Sequence, residues 1–334
     1  MKIPQKPVDE DERMSVLNEL NIIYTPAEER FDRITRLAKL IFKVPIAVIS
    51  LVADDIQYFK SIQGLDTCET SREVSFCGHA ILGNDTFIVP DTLKAPDFAD
   101  NPLVVNEPHI RFYAGEPIAL DSQNLGTLCL IDYEPREFSE VDKETLKSLA
   151  RMVENELKLT LYTQPQKEIL GEMNDVERKL LLDPVTGCWN GKGFDLLLDK
   201  KLNKSNQTDN PVSILLLEVE WDNEQDKSLS DHDRNTVIKE CAQRIRNSVG
   251  TKDIIGRLRD KQFILFLNNC DKFQCRSITQ KIQRNISMWH YELDDESLTL
   301  SVKIGTTSST RSGNWSKTSL LDAVKVDLET AIDE

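Results

Sequence analysis

Cys77 and His79 place a thiol and an imidazole two residues apart, and Cys129 lies in a separate apolar run. These are soft or borderline donors, so Cys77 and His79 are candidate ligands for an ion such as zinc, with Cys129 approaching from a sheet as a third. The two thiols are also candidates for redox sensing. The plainer reading is preferred: free cysteine is commonly a small buried hydrophobe, and a lone histidine is usually tied into the structure. Arg111 and Tyr113 share a strand face, because side chains alternate with period two. They could receive an anionic or polar ligand, or tie a loop to the sheet. Asp91 and Asp132 read most simply as residues that close turns. A second constellation lies in the run IGRLRDKQFILFL, Ile255 to Leu267. Two short apolar strands flank a polar turn there, the pattern of a β-hairpin.

Elements must position these groups. In the first half a helix is predicted around Ala27–Phe42, with Phe31, Ile34, Leu37, Ala38 and Ile41 on one face. Strands follow at Ile46–Val52, Tyr58–Ile62, Phe87–Pro90, Arg111–Leu120 and Thr127–Asp132, with a short helix from near Ser75. This pattern predicts an α+β domain with one central antiparallel sheet. From Ser139 to about Leu182 the pattern is helical, opening with a capping box of Ser139 and Asp142. Pro165 breaks or kinks that helix. Ile169, Met173, Val176 and Leu180 are spaced 4-3-4, as in a coiled-coil seam. In the second half, helices at Gly191–Lys204, Asp231–Val249, Lys272–Ser287 and Lys317–Ile332 alternate with strands Val212–Glu220 and Leu298–Gly305 around the hairpin. That order fits a β-α-β-β-α-β sheet with helices on one face.

The totals bound the function. A chain of 334 residues, 40% hydrophobic and 29% charged, is long enough for two domains with substantial cores. Its net charge of −15, with the larger acidic excess before residue 164, disfavours non-specific binding to nucleic acid or anionic membrane. No apolar run approaches the roughly 18 residues that span a bilayer, and the N-terminus is too polar for a secretory signal. Seven cysteines without a CxxC pair argue against a disulfide framework. A cytoplasmic protein is expected.

Several motifs then occur in order. The run DPVTGCWNGKGF from Asp183 to Phe194, the strand SILLLEVE from Ser213 to Glu220, the helix NTVIKECAQRIR from Asn235 to Arg246 and the strand SVKIG from Ser301 to Gly305 resemble diguanylate cyclase (GGDEF) domains. The resemblance covers about residues 182–334 and implies that fold. In that family two GTP molecules on two domains meet as a dimer, and Mg²⁺ ions stabilise the phosphates during phosphoryl transfer. By position Glu218 keeps the first-strand acid. The five motif positions of the hairpin fall at Arg259, Asp260, Lys261, Gln262 and Phe263, so its two acids are replaced by Lys261 and Gln262. Lys261 is expected to face Glu218 and take the metal's electrostatic place. Bulky Arg259 and charged Asp260 intrude where glycines let backbone approach the nucleotide. The guanine-reading position falls at Asp226, and the opening motif retains Asn190; both are expected as vestigial nucleotide contacts. The family's inhibitory Arg falls at Gly250, leaving Asp253 alone. The final helix, VKVDLETAI from Val324 to Ile332, lacks the family's Tyr and Lys.

The segments VPIAVISL from Val44, SFCGHAI from Ser75, NPLV from Asn101, RFYAG from Arg111 and LGTLCLIDYEPR from Leu125 resemble a GAF domain. That resemblance implies a sensory or dimerising module able to enclose a small ligand. The resulting expectation is a tail at 1–15, a GAF sensor at 16–160, a helical signalling linker at 161–181 and a degenerate GGDEF domain at 182–334. It is expected to be a homodimer without a cofactor that signals through an unidentified protein partner. The alternatives are an active cyclase using GTP and Mg²⁺ with an unusual hairpin, and a non-catalytic GTP receptor.

Overall fold

The computed structural model describes residues 1–163, 173–208, 210–221, 229–250, 252–293, 296–309 and 316–330. Two compact units divide the chain, Met1–Arg178 and Lys179–Glu334.

The first unit runs α1 (Glu10–Leu20), α2 (Glu29–Phe42), β1 (Ile46–Val52), β2 (Ile56–Gln63), β3 (Glu69–Ser71), α3 (Phe76–Ala80), β4 (Phe87–Val89), α4 (Pro102–Val105), β5 (Phe112–Leu120), β6 (Gln123–Asp132) and α5 (Glu140–Thr163). Its strands form one antiparallel sheet in the order β3-β2-β1-β6-β5-β4. All seven residues of β1 are buried, because both faces of the sheet are covered. On one face α2 packs down through a Thr35–Ser61 hydroxyl pair at 2.8 Å. On the other, Val48, Phe59, Tyr113 and Cys129 meet Phe76 and Cys77 of α3 and the loop residues Phe98 and Ile110.

Three sequence expectations change here. The expected tail holds the start of α1, whose Arg13 is 1% exposed and donates to the Val52 carbonyl at 2.7 Å. In α2 the buried face is Phe31, Ile34, Thr35, Ala38 and Phe42, whereas Leu37 and Ile41 are exposed; Thr35 and Phe42 take the core positions expected of them. The Ser139 box forms, with Asp142 N–H donating to Ser139 Oγ at 3.2 Å and Ser139 N–H to Asp142 Oδ2 at 2.9 Å. The helix does not run unbroken to Leu182, however. Past residues 164–172, which lie outside the described residues along with Pro165 and Ile169, comes only α6 (Asp175–Lys179), capped by Asn174 and with Val176 and Leu180 exposed.

The second unit continues with β7 (Trp189–Asn190), α7 (Gly191–Thr208), β8 (Val212–Glu220), α8 (Asp231–Arg246), β9 (Ile254–Arg259), β10 (Gln262–Asn268), α9 (Lys272–Ser287), β11 (His290–Leu293), β12 (Glu296–Thr299), β13 (Ser301–Ser308) and α10 (Lys317–Thr330). Its main sheet has the order β13-β8-β10-β9-β7, and β11 pairs with β12 as a separate hairpin. The β-α-β-β-α-β order is present. Helices cover both faces rather than one. Leu215, Leu217 and Val219 pack with Val237, Cys241 and Ile245 of α8 and Ile282 and Ile286 of α9. On the opposite face Phe194 of α7 lies over Gly256, and Val324 and Leu328 of α10 lie over Gly305. The reason is visible in β8, where Ile214, Leu215, Leu216 and Leu217 are consecutive and all buried. An unbroken apolar run signals burial on both faces.

Candidate functional site

Glu218 stands near the end of β8 on the face that also carries Leu216 and Glu220. Side chains alternate, so its ladder partners present theirs to the same face. Those partners are Gln262 on β10 and Lys303 on β13. Lys303 Nζ pairs with Glu220 Oε1 at 2.6 Å. Glu218 thus has a glutamine and a lysine as its strand neighbours, and the ammonium of that lysine is paired with Glu220.

Lys261 does not take the place expected of it. Its ammonium lies 3.7 Å from the centroid of the Trp221 ring, a cation–π contact, and its carbonyl accepts from Val219 N–H at 2.9 Å. Among the described residues no ion pair joins Lys261 and Glu218. The physical reason is the pairing register: the residue opposite Glu218 is Gln262, so Lys261 falls in the turn, one residue farther out. The turn itself is Asp260–Lys261, closed by the Arg259–Gln262 pair, and the register shift that follows leaves Leu258 unpaired as a bulge. None of residues 258–262 has a positive φ, so the hairpin closes without glycine. Arg257 braces it, donating to the Asp260 carbonyl at 2.9 Å and to Asp183 Oδ1 at 3.1 Å. Arg259 donates to Gln262 Oε1 at 3.2 Å.

Asp183 also accepts from Thr186 N–H at 2.8 Å and Thr186 Oγ1 at 2.7 Å. Asp183→Ala is therefore expected to lower C-terminal domain stability by about 2 kcal/mol, from charge-assisted bonds left unmade. Asp183→Asn should restore the part owed to Thr186; denaturant midpoints of the two variants check this. Asn190 is occupied with backbone. It donates to the Leu180 carbonyl at 2.8 Å and accepts from Gly193 N–H at 3.0 Å, which caps α7. Asp253 accepts from Gly250 N–H and Asn268 N–H, each at 2.8 Å, and so closes a turn. Asp226 lies outside the described residues.

In the first unit the structure brings two of the three suggested soft ligands together. Cys77 Sγ lies 3.8 Å from Cys129 Sγ, and both thiols are buried. Tyr113 Oη and Gln57 Nε2 each donate to Cys77 Sγ at 3.2 Å. His79 points elsewhere: its Nε2 is 3.0 Å from the Lys2 carbonyl, and its ring meets Phe87 and Phe98. Burial lowers its pKa, opposed by the Lys2 carbonyl. Arg111 donates to Asp91 Oδ1 at 2.9 Å, tying a loop to the sheet, so it and Tyr113 serve different partners. Asp132 pairs with Arg136 and accepts from Glu134 N–H. Sequence reading passed over Lys303 and Trp221 near Glu218, and Ser50, Gln57 and Thr127 near Cys77. The only signal for Ser50 and Thr127 was a hydroxyl inside an otherwise apolar strand.

Family profiles place these geometries. The GAF domain matches residues 26–157, and the diguanylate cyclase GGDEF domain matches residues 180–331. The chain is a GAF domain followed by a GGDEF domain. This is the architecture of a signal-transduction protein. Among curated relatives, the cyclic di-GMP phosphodiesterase PA2567 of Pseudomonas aeruginosa is 43% identical over 155 residues, 46% of this chain and 26% of that protein. The diguanylate cyclase DgcP of the same organism is 20% identical over 57% of this chain and 28% of its own length. The chain thus spans little more than a quarter of each. Among solved structures, diguanylate cyclase SiaD with its activator SiaC, from Pseudomonas aeruginosa, is 16% identical, with a TM-score of 0.43 over 57% of this chain and 75% of that one. The FimX GGDEF domain from the same organism has a TM-score of 0.42 and 16% identity, over 45% and 93%. No helix among the described residues is long and apolar enough to cross a membrane.

Proposed function

We propose that the GGDEF domain is catalytically silent and that the chain is a regulatory protein of cyclic di-GMP signalling, taking input through its GAF domain and acting through protein contacts. The observation that carries this reading is the set of groups around Glu218. Magnesium requires hard oxygen ligands in near-octahedral array, commonly one or two carboxylates plus phosphate oxygens. The strand positions beside Glu218 supply the amide of Gln262 and the ammonium of Lys303. Lys303 also neutralises Glu220. At an effective dielectric of about 20, two unit charges about 4 Å apart interact by roughly 4 kcal/mol. An ammonium beside a doubly charged ion therefore opposes its binding strongly. The residues present do not fit the ion.

What the domain keeps is its frame: the Asp183–Arg257 pair, the hairpin and the helices on both sheet faces. A sheet held this way can present a surface to a partner without turning over substrate. The names of the two curated relatives support the pathway. Incubating the purified chain with GTP and Mg²⁺ is expected to give no cyclic di-GMP above that of a Glu218→Gln control. Product that appears with the native chain and vanishes in the Glu218→Gln variant would overturn the reading.

A further inference from the structure

The face of the GAF sheet beneath α3 carries a cluster of polar groups in a place otherwise filled by apolar and aromatic side chains. Ser50 and Thr127 are directly opposed across β1 and β6, both are 0% exposed, and the hydroxyls of both are without a hydrogen-bond partner. Alternation puts Gln57, Tyr113 and Cys129 on the same face as these hydroxyls. The Gln57 amide and the Tyr113 hydroxyl both aim at Cys77 Sγ. A buried hydroxyl with no partner is costly, so two of them beside a sulfur point to an acceptor stronger than a neutral thiol. A thiolate is that acceptor.

From this geometry we infer that Cys77 and Cys129 are a redox site, at which a hydroperoxide oxidises Cys77 and Cys129 resolves it to a disulfide. Donors surrounding Cys77 stabilise its anion, and the thiolate is the nucleophilic form. Burial alone raises the Cys77 thiol pKa, but hydrogen bonding from its side-chain neighbours, with Cys129 foremost, outweighs it and holds the group below the ordinary thiol value. The shared hydrogen bond and burial push the partner thiol of Cys129 well above it. The two sulfurs therefore have different tasks.

In the first step the Cys77 thiolate attacks one peroxide oxygen. The O–O bond breaks, the other oxygen leaves as water or an alcohol after taking a proton, and Cys77 becomes a sulfenic acid. In the second, Cys129 sulfur attacks the Cys77 sulfur. The S–O bond breaks, and the departing hydroxide leaves as water with the Cys129 proton. Two electrons in all pass from the thiol pair to the hydroperoxide. A disulfide needs the sulfurs about 2.05 Å apart, so the present 3.8 Å must close by less than the width of an atom. The bond would clamp α3 to β6. Above α3 lies the segment before α1, with Pro4 packed on Gly78 and Lys2 bonded to Asp97 and His79. That cover makes the pair slower to react than the exposed Cys68.

The site does not depend on the reading of the GGDEF domain. Its test uses the full chain carrying Cys68→Ser, which removes the exposed thiol. After treatment with hydrogen peroxide, intact mass is expected to fall by two hydrogens, and peptide mapping to show one cross-linked pair containing Cys77 and Cys129, both reversed by dithiothreitol. Cys129→Ser is expected to stop at the Cys77 sulfenic acid, trapped by dimedone. The inference is overturned if peroxide leaves both thiols alkylatable after denaturation, or if it carries either one to the sulfinic acid without the cross-link. The native-sequence pair supplies this readout by itself, so a variant that fails to fold does not remove the test.

Discussion

Gly126→Ala is expected to abolish folding of the GAF domain, while Gly83→Ala leaves it intact. A Cβ at Gly126 would stand 1.8 Å from the Ser50 carbonyl oxygen and 2.9 Å from Leu51 Cα. Both atoms belong to the backbone of β1, whose Leu51 pairs with Gly126. No side-chain rotation relieves the overlap, so the strands must separate. β1 cannot retreat, because β2 holds its other edge. Overpacking costs about 1–3 kcal/mol where side chains can yield. Here a central ladder must open, and the loss should exceed about 4 kcal/mol, a size confined to a few mechanisms of this kind. At Gly83 nothing lies within 4 Å of an added Cβ. Chemical denaturation of the two variants checks the contrast. A Gly126→Ala protein with the native midpoint would refute the close approach of β1 and β6.

Arg13→Met should lower GAF-domain stability by about 3 kcal/mol, the scale for removing one partner of a buried ion pair. This corresponds to a fall of roughly 6–12 °C in thermal midpoint for a domain of this size. Arg13 is fully enclosed. Its Nε and Nη2 each donate to Glu10 at 2.8 Å, and Nη1 donates to the Val52 carbonyl at 2.7 Å. Arg72 also pairs with Glu10 and donates to the Ala53 carbonyl at 3.0 Å, so the variant leaves that carboxylate half-compensated. A pH dependence follows. Burial raises the Glu10 carboxyl pKa, but Arg13 and Arg72 outweigh it and hold the group down to about 2 against the usual 4.5. A depressed folded pKa contributes stability that is complete above the unfolded value and is lost as pH falls through the folded one. Native stability should therefore decline as pH falls from about 4.5 to about 2, and Arg13→Met should flatten that decline. Equal acid slopes for the two proteins would remove the pair from the account.

The sequence alone determined the two domains and most of their elements. Strand Val212–Glu220 and helix Lys272–Ser287 fall where periodicity put them, because apolar spacing and capping residues are local properties. The expectation that Lys261 and Gln262 stand at the hairpin's two acid positions came from the chain in the same way, by counting along the motif. Tertiary structure decided which residue stands opposite Glu218. Whether Lys261 or Gln262 faces Glu218 depends on the register of β10 against β8, and a shift of one residue exchanges the faces. Lys303 joins that site only because β13 pairs on the other edge of β8. Helices on both sheet faces, the burial of Arg13 and the turn of α2 that exposes Leu37 and Ile41 likewise depend on packing partners distant in the chain. The meeting of Cys77 and Cys129 across 52 positions is the clearest case. Each cysteine alone reads as a small apolar residue. Only the fold sets them together beneath α3, with the hydroxyls of Ser50 and Thr127 on the same sheet face.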